Sequence, residues 1–249
     1  MIKEEKIGKR FAKWKIAILI VTIILLILGI CTAIYLSKYY HSRYTLDEYR
    51  QQTDLSITED DSIISIKGET RNGIGVILYP GGKVEYTAYI PLMEQLAKQG
   101  YSCFIPRMPV NLAIFGVDRA DDVLNKNSDI EEWYIGGHSL GGAMASKYAS
   151  ENSGKLKGIF FLGAYPYTDL SSTELTMLSI VGSNDKVVNR KKLDSTKTNA
   201  PKGAIYKILE GGNHANYGDY GKQRGDGKAS ISRDEQMEQT AEWIVEYCK

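Results

Sequence analysis

The chain has 249 residues, of which 43% are hydrophobic and 24% are charged. This composition excludes a disordered or fibrous protein and fits one globular domain with an appendage. A net charge of +1 at pH 7 argues against a nucleic-acid partner. The three cysteines, Cys31, Cys103 and Cys248, are too few for a disulfide framework, and we expect isolated thiols rather than a bridge between the last two.

A basic tail and a long apolar run open the chain. Six lysine or arginine residues precede residue 16, and only Glu4 and Glu5 oppose them. Residues 16–36 carry no charge, and as a helix this run is long enough to cross a hydrocarbon core of about 30 Å. Basic residues stay on the cytoplasmic side of a membrane. We therefore expect a cytoplasmic tail over residues 1–15, a transmembrane helix over residues 16–36 and an extracytoplasmic remainder, anchored at the cell membrane.

Two other interpretations of the apolar run fit less well. A cleaved signal peptide has a shorter apolar region, about 7 to 15 residues, and a small-residue cleavage site that residues 31–34 do not offer. Lipoprotein processing at Cys31 conflicts with the bulky Ile30 before it. The sequence therefore favours an uncleaved anchor.

Residues 37–60 are polar and rich in tyrosine. Their apolar residues, Leu46, Tyr49 and Leu55, are too sparse for a core helix. This segment is therefore predicted to be a juxtamembrane stalk.

Alternating strand and helix patterns predict one catalytic α/β domain over residues 61–249. Strands are expected at residues 62–67, 74–79, 101–105, 133–137, 157–162, 175–181 and 203–209, and helices at 87–99, 117–126, 140–151, 189–196 and 232–247. Such alternation is typical of a mainly parallel sheet flanked by helices on both faces. Only residues 163–174 separate two of the strands at the point where a lid would be inserted, so no lid domain is expected.

A sharp turn between a strand and a helix is predicted at Ser139. Residues 136–142 read G-G-H-S-L-G-G, with an apolar strand pattern before them and a run of small residues after them. In a G-x-S-x-G turn the glycines let strand and helix approach closely, and the serine adopts an unfavourable backbone conformation that exposes its hydroxyl. The pattern predicts that Ser139 is a nucleophile.

A serine nucleophile needs a base, and histidine has a suitable pKa. Of the three histidines, His41 lies in the predicted stalk, and His138 is on a turn that is expected to direct its side chain elsewhere. His214 follows the last predicted strand, so it should reach the same edge of the sheet as the nucleophile. His214 is therefore the predicted base.

Two aspartates are candidates for the acid that orients this base. Asp185 follows the strand next to the one that leads to His214, whereas Asp169 lies one strand earlier. A carboxylate in this role fixes the imidazole tautomer and stabilises the imidazolium. We favour Asp185, with Asp169 as the alternative or as a residue that orders its own loop.

An oxyanion hole needs two backbone amides about 3 Å from the developing charge. The Leu140 amide, one residue after the nucleophile, is the first expected donor. The second is expected from Gly82 or Lys83, in the turn Y-P-G-G-K-V that follows the strand at 74–79.

The segment 213–233 is rich in glycine and acidic residues. Asp219 and Asp226 lack the D-x-[DN]-x-[DN]-G spacing of a calcium loop. We therefore expect neither a metal nor a cofactor, and we interpret the segment as a wall of the active site.

These motifs resemble the α/β-hydrolase superfamily, specifically its compact bacterial branch similar to dienelactone hydrolases. The resemblance covers about residues 72–247 and is carried by Y-P-G-G-K-V at 79–84, P-R-M-P-V-N-L-A at 106–113, G-G-H-S-L-G-G-A-M-A at 136–145 and G-G-N-H-A-N-Y-G-D-Y-G at 211–221. It implies an α/β-hydrolase fold, an esterase-type activity and a triad of Ser139, Asp185 and His214. Dienelactone hydrolases themselves use a cysteine where this chain has Ser139, and Tyr79-Pro80 replaces the histidine of the H-G-G found in many esterases.

Together the patterns predict a membrane-anchored serine hydrolase that cleaves small-molecule or lipid-like esters through an acyl-enzyme. A transacylase would use the same residues, because an alcohol would replace water as the acceptor. A surface-binding module without catalysis would keep the same fold.

Overall fold

The structure, a computed structural model, describes the backbone of residues 2–248 and the side chains of residues 13–248. The chain divides into two compact units, one that ends at Tyr39 and one that begins at Tyr40. The first unit is dominated by helix α1, Ile2–Ser37. Its part Lys13–Ser37 is long and apolar enough to cross a membrane, and this composition fits either a membrane span or a signal sequence.

The second unit is built on one sheet of eight strands. Their order across the sheet is β1-β2-β4-β3-β5-β6-β7-β8. The pairs β1–β2 and β2–β4 are antiparallel, and every later pair is parallel. The strands are β1 Ser56–Asp60, β2 Ile63–Lys67, β3 Ile74–Tyr79, β4 Ser102–Pro106, β5 Glu132–His138, β6 Gly158–Leu162, β7 Thr176–Gly182 and β8 Ile205–Leu209.

Helices cover both faces of this sheet. They are α2 Leu46–Arg50, α3 Ile90–Ala97, α4 Arg119–Lys126, α5 Leu140–Glu151, α6 Arg190–Ser195 and α7 Arg233–Tyr247. Side chains of a strand alternate between faces, so Val76 and Leu78 of β3 join the apolar cluster that contains residues of α3 and α7. Ile77 joins the cluster that contains residues of α4 and α5. The mainly parallel sheet between two helical layers confirms the predicted fold class.

Most boundaries lie within two residues of the predictions. The helix predicted at 87–99 is an exception, since a 3-10 turn, Tyr86–Tyr89, precedes α3. Pro91 stands in the first turn of α3, where its missing N–H has no intrahelical acceptor to lose. Residues 163–175, between β6 and β7, contain no helix, in agreement with the absence of a lid domain.

The stalk predicted over residues 37–60 needs correction, because residues 40–60 belong to the folded unit. They contain α2 and the edge strand β1. Tyr49 and Ile57 are the buried members of these two elements, at 4% and 6% exposure. One buried side chain in each element is too weak a periodic signal to predict a helix or a strand.

Candidate active site

Ser139 lies at the turn between β5 and α5. Its backbone has φ 53° and ψ −120°, a conformation that costs a non-glycine residue about 1–3 kcal/mol and is concentrated at functional sites. The Ser139 amide donates a hydrogen bond to the Leu162 carbonyl at the end of β6, 3.0 Å away. The turn is thereby tied to the carboxyl edge of the sheet.

Glycines are required around this turn because the backbones touch. A Cβ on Gly137 would collide with the backbone of Gly141, and a Cβ on Gly141 would collide with the Tyr79 carbonyl. A larger residue at position 137 would separate β5 from α5, and one at position 141 would separate α5 from the end of β3. The G-x-S-x-G pattern therefore has a direct steric cause here.

His214 and Asp185 form a buried pair at the same edge. Asp185 follows the end of β7, and His214 follows the end of the adjacent β8. Nδ1 of His214 lies 2.8 Å from Oδ2 of Asp185, and the two side chains are 1% and 0% exposed. The other carboxylate oxygen, Oδ1, accepts hydrogen bonds from the amides of Val187 and Val188, both at 2.8 Å. The carboxylate is therefore held in place from both sides.

Two contacts place this pair beside Ser139. The His214 ring centroid lies 4.5 Å from that of His138, the residue before Ser139. Gly163 follows Leu162, and a Cβ on Gly163 would lie 2.8 Å from Nδ1 of His214. Nε2 of His214 is buried and has no hydrogen-bond partner among the described residues. A ring nitrogen in this state is the one that a general base requires.

The predicted oxyanion donors differ in their availability. The Leu140 amide opens α5, where a helical N–H has no intrahelical acceptor. Lys83 has φ 60°, and its amide donates to the Asn111 carbonyl at 2.6 Å. The hypothesis of Lys83 as a donor therefore needs correction, because its N–H is already engaged.

Gly82 is the remaining candidate for the second donor. A Cβ on Gly82 would lie 3.0 Å from Cδ2 of Leu140, so this turn touches the residue that opens α5. Among the described residues, none accepts a hydrogen bond from the Gly82 amide. The two free amides, of Gly82 and Leu140, lie on contacting residues.

His138 is not directed away from the site, contrary to the sequence-based expectation. Its side chain is 1% exposed, and Nδ1 lies 2.8 Å from the Tyr89 hydroxyl. That hydroxyl also accepts a hydrogen bond from the Gly81 amide at 2.9 Å, so Tyr89 connects the oxyanion turn to His138. Burial, and then the neighbouring His214, hold the pKa of His138 well below its ordinary range. His138 is therefore neutral.

The two-residue alternation of β5 could have indicated this position of His138. Tyr134 belongs to the cluster on the α3 and α7 side, and positions 136 and 138 share its face. The predicted strand ends at residue 137 and leaves residue 138 in the turn, whereas β5 extends through His138.

Two other aspartates considered in the sequence, Asp169 and Asp226, accept hydrogen bonds from backbone amides. Asp169 is exposed, and its Oδ1 accepts the Ser171 amide at 2.9 Å, which orders its own loop. Asp226 accepts the Ala215 amide at 2.9 Å. Among residues 13–248, no group of three or more His, Cys, Asp or Glu side chains is placed to hold a metal ion.

Comparisons with known proteins agree on the fold. The sequence matches the model of the alpha/beta hydrolase family over residues 75–238. A predicted CIB-like hydrolase from Thermoplasma acidophilum is 16% identical, with a TM-score of 0.59 over 77% of this chain and 99% of that one. The esterase domain of a Rhodothermus marinus protein is 12% identical, with a TM-score of 0.56 over 78% and 96% of the two chains.

A protein from Klebsiella pneumoniae assigned as a dienelactone hydrolase is 16% identical, with a TM-score of 0.53 over 78% of this chain and 98% of that one. At these identities the likeness to solved structures shows the fold alone. No curated protein matches the chain by sequence.

Proposed function

Since the chain belongs to the alpha/beta hydrolase family, we propose that it is a serine hydrolase that cleaves carboxylic esters through an acyl-enzyme. Ser139 is the nucleophile, His214 the general base and Asp185 the residue that orients the base. The observation that carries this assignment is the buried His214–Asp185 pair beside a serine with a strained backbone. Each part has a clear role in acyl transfer.

The reaction begins when Oγ of Ser139 attacks the ester carbonyl while Nε2 of His214 accepts its proton. Asp185 stabilises the imidazolium, because its carboxylate accepts a hydrogen bond from the Nδ1–H group and keeps its negative charge. The amides of Leu140 and Gly82 stabilise the oxyanion. His214 then protonates the leaving alcohol, and water repeats the sequence to release the acid and restore Ser139.

The neutral state of His138 supports this cycle. Its ring lies 4.5 Å from the ring that becomes an imidazolium. A second cation at that distance would oppose protonation of His214. Burial of His138 removes this repulsion.

The surface near the site favours a small-molecule or lipid-like ester with an apolar group. The side chains of Val110, Ile114 and Phe115 are 48%, 56% and 63% exposed. Their loop is tied to the turn with the oxyanion donor, because the Asn111 carbonyl accepts the Lys83 amide. Apolar side chains in this position would shield an acyl chain from water.

We place the enzyme at the cell membrane, with α1 as an uncleaved anchor. Six basic residues before the apolar run favour a cytoplasmic N-terminus and an extracytoplasmic catalytic domain. The domain organisation proposed is a tail over residues 1–15, a membrane helix over 16–36 and a catalytic unit that begins at Tyr40.

Hydrolysis of p-nitrophenyl acetate and butyrate by the purified full chain in detergent tests the proposal. We expect turnover by the wild type, and loss of at least about 10³-fold in Ser139→Ala, since the hydroxyl is the attacking group. A folded wild-type protein without turnover would support the binding-module alternative. Transfer of the acyl group to an added alcohol in preference to water would support the transacylase.

A further inference from the structure

Residues 40–49, which we call the strap, join two loops that flank the candidate site. The first is the oxyanion loop, residues 80–85, and the second is the histidine loop, residues 213–224. Neither loop is adjacent to the strap in sequence. The strap begins at Tyr40, the first residue of the second compact unit, three residues after the end of α1.

On one side, the strap pairs with the oxyanion loop. The Tyr40 amide donates to the Lys83 carbonyl at 2.7 Å, and the Glu85 amide donates to the Tyr40 carbonyl at 2.9 Å. These bonds form a parallel bridge between Tyr40 and Val84. The Ser42 amide also donates to Oε2 of Glu85 at 2.9 Å. The residue after Gly82 is thereby held by the strap.

On the other side, the strap is fixed to Asp219 of the histidine loop. The Arg43 amide donates to the Asp219 carbonyl at 2.9 Å. The Tyr49 hydroxyl donates to Oδ2 of Asp219 at 3.2 Å and lies 3.0 Å from Oγ of Ser42. Arg233 of α7 pairs with the other oxygen of the same carboxylate. Asp219 is 2% exposed, so it is a buried anchor for the strap.

The side chain of Tyr40 reaches the same loop. Its hydroxyl accepts the Arg224 amide at 3.1 Å, and its ring centroid lies 5.5 Å from that of Tyr220. The Tyr220 ring lies 6.4 Å from His138, next to the nucleophile. The strap also lines, with the histidine loop, a cavity of about 470 Å³. The strap is therefore connected to the candidate site through the Tyr220 ring, which lies between Tyr40 and His138.

We propose that the strap is a positioning segment of the active site, which holds the Gly82 amide and His214 at their working separation. The inference rests on the proposed function, because those two groups act in that reaction. Gly82 and His214 lie on separate loops, and backbone bonds from one short segment connect both loops. A shift of an oxyanion donor by a fraction of an ångström weakens stabilisation of the transition state more than binding of the substrate.

The test uses the full chain in detergent and the double variant Tyr49→Phe/Glu85→Ala, which removes the Tyr49–Asp219 hydrogen bond to the histidine loop and the Ser42–Glu85 hydrogen bond to the oxyanion loop. We expect kcat for p-nitrophenyl butyrate to fall about tenfold or more with KM within twofold, since only transition-state contacts are misaligned. Restoring an acceptor oxygen with Tyr49→Phe/Glu85→Gln should recover part of kcat. Hydrogen exchange should rise in peptides that cover residues 80–85 and 213–224.

Tyr101→Phe is the matched control, because the Tyr101 hydroxyl also donates a buried hydrogen bond, to the Cys248 carbonyl at 2.6 Å. We expect it to lower the melting temperature as much as Tyr49→Phe does and to leave kcat unchanged. Wild-type kcat in the double variant, an equal kcat loss in Tyr101→Phe, or unchanged exchange in the two loops would overturn the proposal. An inactive wild type would refute the proposed function instead, and hydrogen exchange alone would then decide whether the strap orders both loops.

Discussion

Nδ1 of His214 lies 2.8 Å from Oδ2 of Asp185 in a pair that is almost completely excluded from water. The hydrogen bond engages Nδ1 and fixes the ring, so Nε2 is the nitrogen that remains available to accept a proton. Because the carboxylate also accepts two backbone amides, its orientation does not depend on the histidine alone. This arrangement supports the orienting role that we propose for Asp185, whereas Asp169 is exposed.

Replacement of the two aspartates separates their roles. We expect Asp185→Asn to lower kcat for an ester about 10³- to 10⁴-fold, because the amide favours the wrong tautomer and no longer stabilises the imidazolium. Asp169→Asn should stay within about threefold of the wild type, since Asp169 only orders its own loop. Steady-state kinetics measures both, and circular dichroism verifies that both variants fold. A larger loss in Asp169→Asn would show that the acid is wrongly assigned.

Gly163 leaves room for the His214–Asp185 pair because it has no side chain. It has φ 53°, and a Cβ there would lie 2.8 Å from Nδ1 of His214 and 3.0 Å from Oδ2 of Asp185. We expect Gly163→Ala to lower kcat at least about 100-fold, because a displacement near 1 Å at the reacting groups costs that much. The change in kcat is measured beside the melting temperature.

Gly203→Ala is the control for Gly163→Ala. Gly203 also has a positive φ, 81°, but a Cβ there would meet no atom within 4 Å. Both substitutions should cost about 1–2 kcal/mol of folding free energy from the backbone alone. If Gly203→Ala loses as much kcat as Gly163→Ala, the effect is general destabilisation and not displacement of the pair.

His138 should make the domain less stable in acid. Its pKa is held well below the ordinary value in the folded state, whereas the unfolded chain binds a proton there near pH 6.5. Below that pH the unfolded state therefore holds one more proton, and stability falls as pH falls. As the pH falls from 7.5 to 5.5, proton binding to residue 138 of the unfolded chain therefore lowers the free energy of unfolding.

Urea unfolding of the wild type and of His138→Asn at the two pH values measures this contribution. The free energy of unfolding should fall less between pH 7.5 and pH 5.5 in the variant than in the wild type, because the other titrating groups are common to both proteins. Equal pH dependence in the two proteins would mean that folding does not lower the pKa of His138.

The parts of this fold that the sequence predicts are those with strong local signals. The bounds of β3 and α5 were predicted without error because six apolar residues in succession and a run of small residues after the glycines leave few alternatives. Ser139, Asp185 and His214 could be placed at one edge because the carboxyl ends of neighbouring parallel strands meet there.

The parts that could not be predicted depend on contacts distant in sequence. The strap has only Tyr49 buried, and its order comes from hydrogen bonds to residues 83–85 and to Asp219. The Lys83 amide is engaged by Asn111, a contact that no local pattern indicates. The same holds for the Tyr89 hydroxyl, which connects Gly81 to His138.

Protease treatment of intact cells tests the proposed topology. Lys38 is exposed just after α1 and precedes the catalytic unit. Trypsin added outside the cells should release a fragment that begins near residue 39 and leave the apolar helix in the membrane. Lys38→Gln should slow this cleavage. Release from lysed cells only would place the domain in the cytoplasm, contrary to the charge asymmetry of the tail.

Labelling by a fluorophosphonate tests most directly whether Ser139 is an activated nucleophile. The reagent reacts with a serine hydroxyl only where a base removes its proton and an oxyanion site stabilises the adduct. Ser150→Ala is the control on the same helix, since the Ser150 hydroxyl donates to the Lys147 carbonyl and has no role in the site. We expect one label per chain, located at Ser139 by peptide mass spectrometry, in the wild type and in Ser150→Ala, and none in Ser139→Ala. A folded wild-type protein that takes no label, or carries it at another residue, would contradict the assignment of this site.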